Sequence, residues 1–176
     1  MFGNSNQSFH YLPEFIKFVE QSPTLSKRIL FLTKKVPYPS IDGECLVIKQ
    51  DIQMCLDSSQ EVYLLSLNTD KHYVSTEEIK RHIPSKVHLE WVDIRTEISL
   101  SGVLGNIFSS IPYNIERFYN TTFLEKIKAF IQQFKIDIIF FEGLHLAVYA
   151  EAIRKEFNVT CVMRSHNVDC LLYTSP

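Results

Sequence analysis

Ile29, Leu30, Phe31 and Leu32 form an unbroken apolar run that breaks off into a loop holding Pro37 and Pro39, after which Asp42 and Gly43 precede a helical pattern. A run so short and so uniformly apolar marks a strand buried on both faces of a parallel sheet. The two prolines bar both helix and ladder, so the chain must leave the sheet there. The sequence of strand, loop, small residue and helix N-terminus is one in which bare N–H groups and a helix dipole face an anion.

The alternation continues downstream. Strands are expected over residues 28–33, 61–67, 87–92, 136–141 and 159–163. Between them, helices are expected over about 44–56 and from a Ser75/Glu78 capping box to just before Pro84. A long helix follows a Thr122/Glu125 cap, with Phe123, Leu124, Ile127, Phe130, Ile131 and Phe134 at steps of three and four. A last helix carries Leu146, Val148, Tyr149, Ile153 and Phe157. Residues 93–119, broken by Gly102, Gly105, Pro112 and Asn114, suggest short helices around a bend. Residues 1–26 stand outside the pattern: Pro13 opens a short helix through Glu20 with Phe15, Ile16, Phe18 and Val19 on its apolar side, then SPTLS serves as linker.

Strands alternating with helices imply right-handed crossovers and one doubly wound parallel sheet, order 3-2-1-4-5, with strands 1 and 4 side by side where the winding reverses. Ligands bind at the carboxyl ends of the strands flanking that switch point. The segments meeting there are residues 33–43, EGLH at 142–145, and RSHNVD at 164–169.

Composition removes several function classes. A net charge of −2 gives no electrostatic drive toward nucleic acid. The four cysteines form no C-x-x-C pair, and three sit at apolar positions as buried thiols. His10, His72, His82 and His88 lack partners at metal spacing, so no metal site is expected. No segment reaches the ~18 apolar residues of a membrane span. The amino-terminal residues carry neither a basic nor an apolar signal region, which suggests a cytoplasmic protein and leaves the sequons at Asn120 and Asn158 without meaning.

Three motifs in order, L-T-x-x-x-P-Y-P-x-x-D-G at 32–43, E-G-L-H after strand 4 and R-x-H-N-V-D after strand 5, resemble the N-terminal domain of family 4 glycosyltransferases, which have the GT-B fold. The resemblance covers about residues 27–176 and implies two Rossmann-like domains facing each other across a cleft. The N-terminal domain binds mainly acceptor, and the C-terminal one binds the nucleotide-sugar donor. The chain stops after strand 5, so the expectation is a truncated N-terminal half, lacking the donor domain and its paired glutamates, and inactive alone. The whole enzyme would transfer a sugar, with retention, from a nucleotide-sugar to a glycan, lipid-linked or other hydroxyl acceptor. It would need no cofactor or metal-binding Asp-x-Asp, and would be free to associate with a membrane surface.

By this resemblance His166 is the catalytic candidate near the transferring sugar. A histidine suits such a cleft because it donates to a hydroxyl while staying near neutral. Its alternative is a loop histidine bonded to nearby backbone. Gly43 matches the first glycine of the loop approaching the donor diphosphate, but Glu44 stands where a second glycine is expected. The other reading of Asp42 and Glu44 is helix initiation, with Asp42 as N-cap. Arg164 contacts an anionic acceptor or forms a structural salt bridge. Glu142 bonds acceptor hydroxyls or caps the following helix, and His145 belongs to the same turn. Asn167 is a further binding candidate, or shapes the turn with Asp169. Rival readings are a GT-B nucleotide-sugar epimerase, a dinucleotide-linked enzyme (disfavoured because no G-x-G-x-x-G follows a strand) and a non-catalytic binding module.

Overall fold

The computed structural model describes residues 26–95 and 118–164. Among these, five parallel strands form one sheet in the order β3-β2-β1-β4-β5. The strands are β1 (Arg28–Thr33), β2 (Glu61–Thr69), β3 (Val87–Ile94), β4 (Ile138–Glu142) and β5 (Thr160–Arg164). The helices are α1 (Gly43–Asp57), α2 (Thr76–His82), α3 (Thr121–Phe134) and α4 (Ala147–Glu156). The expected strand order and parallel sense are what the chain adopts.

Alternation along each strand divides the core in two. Ile29 and Phe31 of β1, with Val62, Leu64, Ile138 and Phe140, pack against Ile48, Ile52 and Cys55 of α1. Leu30 and Leu32, with Leu65, Leu67, Ile139 and Phe141, pack against α3 and α4 through Phe123, Ile127, Phe130, Tyr149 and Ile153. Helices thus cover both faces, and the uniformly apolar run of β1 is explained: odd and even residues both meet a helix. Burying each such side chain contributes about 1.5–3 kcal/mol. Cys45 and Cys55 are buried free thiols, while Cys161 is half-buried. Burial pushes the Cys55 thiol up to about 12, with Asp51 adding to the shift.

Boundaries moved where local polar bonds outrank apolar pattern. The cap of α3 is Asn120, not Thr122: its side chain accepts from the Phe123 N–H at 3.0 Å. At the other end, Lys135 takes the left-handed conformation (φ 53°) and closes the helix. Asp137 then accepts from the Arg28 backbone N–H at 2.9 Å and from its guanidinium at 3.0 and 3.1 Å. Ile136 is therefore a buried connector, and β4 starts two residues later than expected, at Ile138. The Ser75 cap on α2 forms as expected, accepting from Glu78 N–H at 3.3 Å. The helix expected at 13–20, the short helices within 96–117 and Cys170 lie outside the described residues.

Candidate functional site

The apolar runs of β1, β4 and β5 end on the polar residues Thr33, Glu142 and Arg164, and parallel register lines these up with Ser66 of β2. Ser66 pairs with Thr33, Thr33 with Glu142, and Glu142 with Arg164. Side chains in register share a face, so the row Ser66–Thr33–Glu142–Arg164 lies on the α1 side, at the carboxyl end of the sheet and across the β1/β4 switch point. It is a buried floor: Thr33, Ser66 and Glu142 are 0% exposed and Arg164 is 8% exposed.

The floor is internally bonded. The Thr33 and Ser66 hydroxyls lie 2.6 Å apart. Arg164 Nη2 donates to Asp51 Oδ2 on α1, and its Nη1 lies 3.8 Å from Glu142 Oε2. The guanidinium also sits over the Phe140 ring, 5.4 Å from its centre. Of the two readings of Arg164, the salt bridge is therefore realised. Glu142 does not cap the next helix. It ends β4, and Gly143 (φ 104°) turns the chain into a one-turn 3-10 helix, Leu144–Leu146, before α4 begins. Glycine is required at 143, because that φ is one L side chains rarely adopt. His145 rides on this turn, half-buried, its ring steeply inclined to that of Phe118 with the ring centres 4.8 Å apart.

The β1–α1 loop carries a second polar group. Asp42 caps α1, its Oδ1 accepting from Cys45 N–H at 3.0 Å. Lys35, only 5% exposed, donates to Asp42 Oδ2 at 2.5 Å and lies 2.8 Å from Glu44 Oε2, while Lys34 lies 3.3 Å from Glu44 Oε1. Burial pulls the Lys35 ammonium down, but its hydrogen bonds to Asp42 and Glu44 more than offset this and hold it above the usual lysine range. Desolvation pushes the Asp42 carboxyl up, but the Lys35 and Cys45 bonds bring it down to about 2. The positive end of α1 is thus already met by the chain's own carboxylates. At Gly43 an added Cβ would meet nothing within 4 Å, so the space before this backbone is open.

Asp42, Gly43, Glu142, His145 and Arg164 therefore all sit on the carboxyl-end side of one sheet, and Glu142 and Arg164 share an ion-paired cluster. His166 and Asn167 lie outside the described residues. Asp51 went unnoticed in the sequence. Its signal was present: it falls among Ile48, Ile52 and Cys55 on the buried stripe of α1, where a carboxylate needs a partner. A separate groove of about 370 Å³ lies at the opposite end of the sheet, lined in part by Gln60, Glu61, Tyr63, Lys86 and His88. It is far from the switch point, and topology favours the carboxyl end as the ligand site. Among the described residues no helix is long and apolar enough to cross a membrane. No family model and no curated protein matches the chain.

Proposed function

We propose that this chain is the acceptor-side Rossmann-like domain of a retaining glycosyltransferase of the family 4 type, taking a nucleotide-sugar as donor and a glycan, lipid-linked or other hydroxyl compound as acceptor. The observation that carries this reading is the adjacency of β1 and β4. It brings the Asp42–Gly43 loop and the Glu142–His145 turn to one end of the sheet, with the end of β5 beside them. These are the segments on which the sequence resemblance rests.

In this reading the acceptor hydroxyl is the nucleophile, and the domain orients it against the anomeric carbon held by a donor-binding partner domain. The buried floor supplies rigidity rather than contact, and His145, half-buried, stands nearer to solvent. His166, two residues past Arg164, is the catalytic candidate. The carboxylates at the N-terminus of α1 suit an acceptor role better than a diphosphate cradle, since Asp42 and Glu44 oppose a phosphate there. They also weigh against a dinucleotide-linked enzyme.

Ligand-observed NMR of the chain with a panel of glycosides, hydroxyl lipids, nucleoside diphosphates and dinucleotides tests the reading. Saturation transfer to glycoside or lipid hydroxyl compounds is expected, lost in His166→Ala. In a protein that joins this chain to a donor-binding domain, the same substitution should lower transfer by about 10–1000-fold. Binding of dinucleotide without any glycoside would overturn it. Glycoside binding with no transfer in the joined protein would favour the binding-module alternative.

A further inference from the structure

The loop after β2 is held by one buried side chain. Asn68, 1% exposed, donates through Nδ2 to Val74 O at 3.0 Å and accepts at Oδ1 from Val74 N–H at 3.0 Å. The same Nδ2 also donates to Asp93 Oδ1 of β3 at 2.8 Å. One amide thus closes residues 69–73 into a compact loop, and a carboxylate on the neighbouring strand fixes that amide. Val74 then packs with Val36 of the β1–α1 loop and Ile79 of α2. Within the loop Asp70–His72 make one 3-10 turn, and Tyr73 follows with 61% of its surface exposed. A buried amide bonded at both its ends serves here to hold a large aromatic side chain out in solvent.

Because the sheet is parallel, this loop opens at the same end as Asp42, Glu142 and Arg164. It borders the β1–α1 loop closely enough for half-buried His72 to feel the charges there. Burial lowers the proton affinity of the imidazole, the Lys35 and Lys71 ammonium groups lower it further, and Asp42 and Glu44 oppose them. At neutral pH the imidazole is therefore uncharged, with one N–H donor and one acceptor. A tyrosine fixed on a stiff loop offers broad contact area that costs little ordering when a ligand meets it. The ligand that matches is a pyranose, which has an apolar C–H face for the phenol ring and hydroxyls round its rim. A nucleotide matches less well, since Lys34 and Lys35 are already paired with Asp42 and Glu44, and those carboxylates oppose a phosphate.

We propose that Tyr73 is the platform on which the sugar ring of the acceptor stacks, with His72 bonding its hydroxyls. This rests on the glycosyltransferase reading and narrows its acceptor to a glycoside.

Titration of the full chain with methyl hexopyranosides, an alkyl glycerol and a nucleoside diphosphate, followed by proton NMR, tests this. The sugar C–H protons should shift upfield on binding, the mark of an aromatic ring lying face-on to them. Tyr73→Ala should abolish these shifts and weaken pyranoside binding about three- to tenfold, whereas Tyr73→Phe keeps both. Since the side chain is exposed, neither change should move the urea midpoint. A Tyr73→Ala chain that binds pyranosides as the parent does overturns the proposal and leaves the glycosyltransferase reading standing. So does weaker binding in that variant when the parent shows no upfield shift, and so does a parent that binds the alkyl glycerol but no pyranoside. A parent that binds only the nucleoside diphosphate, or none of the three, overturns the proposal and the reading together.

Discussion

Arg164→Met should be the most damaging single change at the carboxyl end of the sheet, because one guanidinium serves two buried carboxylates. Arg164 is 8% exposed, Asp51 5% and Glu142 0%. Losing the cation leaves both acids behind without it, and breaking a buried pair in this way costs about 3–5 kcal/mol. Asp51→Asn is a milder change. The amide oxygen can still accept from Nη2, and Glu142 Oε2 at 3.8 Å still balances the guanidinium. Only the charge-assisted part of one hydrogen bond is lost, about 1–1.5 kcal/mol. The triple change Asp51→Leu, Glu142→Gln, Arg164→Met removes every ion and should recover most of the loss, ending within about 2 kcal/mol of the parent. Urea unfolding followed by far-ultraviolet circular dichroism gives the four stabilities, with an unchanged slope showing that the transition is comparable. If Asp51→Asn costs as much as Arg164→Met, or if Arg164→Met costs under about 1 kcal/mol, the reasoning fails and the cluster is hydrated rather than dry.

Asp42→Ala removes a helix cap and one of the two carboxylates paired with Lys35, and should cost about 1 kcal/mol, since the side chain is 38% exposed and solvent screens the pair. Since the Asp42 pKa falls from 3.8 to about 2, that stabilisation is fully present above pH 4 and fades as pH drops toward 2. Acid unfolding midpoints of parent and variant should converge there; a constant gap down to pH 2 would contradict the linkage. The raised Lys35 pKa places its share on the opposite side, complete below the ordinary lysine value of 10.5 and lost only as pH rises past it. Phe141→Ala, at 0% exposure between α3 and α4, should cost about 3–5 kcal/mol through a cavity, measured by the same urea curves. Gly143→Ala meets no steric neighbour yet should still cost about 1–3 kcal/mol, purely from the backbone held at φ 104°. A neutral result would mean the turn rearranges freely.

The strands were legible because nearly every one is a short apolar run, and their order followed because right-handed crossovers leave few ways to wind them. Strand 1 was placed to the residue. Ends were less legible, since they depend on which of several adjacent polar groups wins. Asn120, Thr121 and Thr122 all offer a capping oxygen, and only the extended backbone at Asn120 selects it. Ile136 looks like strand by hydrophobicity, but the Arg28–Asp137 bonds, 109 residues apart in sequence, shift the strand start. The site shows the same division. Topology alone brings Asp42, Glu142 and Arg164 to one edge. Whether Arg164 meets a ligand or a carboxylate depended on Asp51, 113 residues away, which no local pattern connects to it.

The row of polar residues across the strand ends has a consequence for which pairings the sheet can tolerate. A slip of one residue turns a strand over. Were β4 displaced by one against β1, Glu142 would swing away from Arg164 and into the layer of Phe141, Leu146 and Tyr149, where no cation waits among the described residues of that layer. Phe141 would move the other way, out of its apolar layer and toward the carboxylate of Asp51. Stranding a carboxylate in hydrocarbon costs several kcal/mol, against fractions of that for a misplaced leucine. Apolar runs such as IIFF are almost self-similar under a one-residue shift and would mispair at small cost. A carboxyl at the end of β4 and a guanidinium at the end of the neighbouring β5 break that degeneracy, so the pair acts as an alignment mark for these two strands.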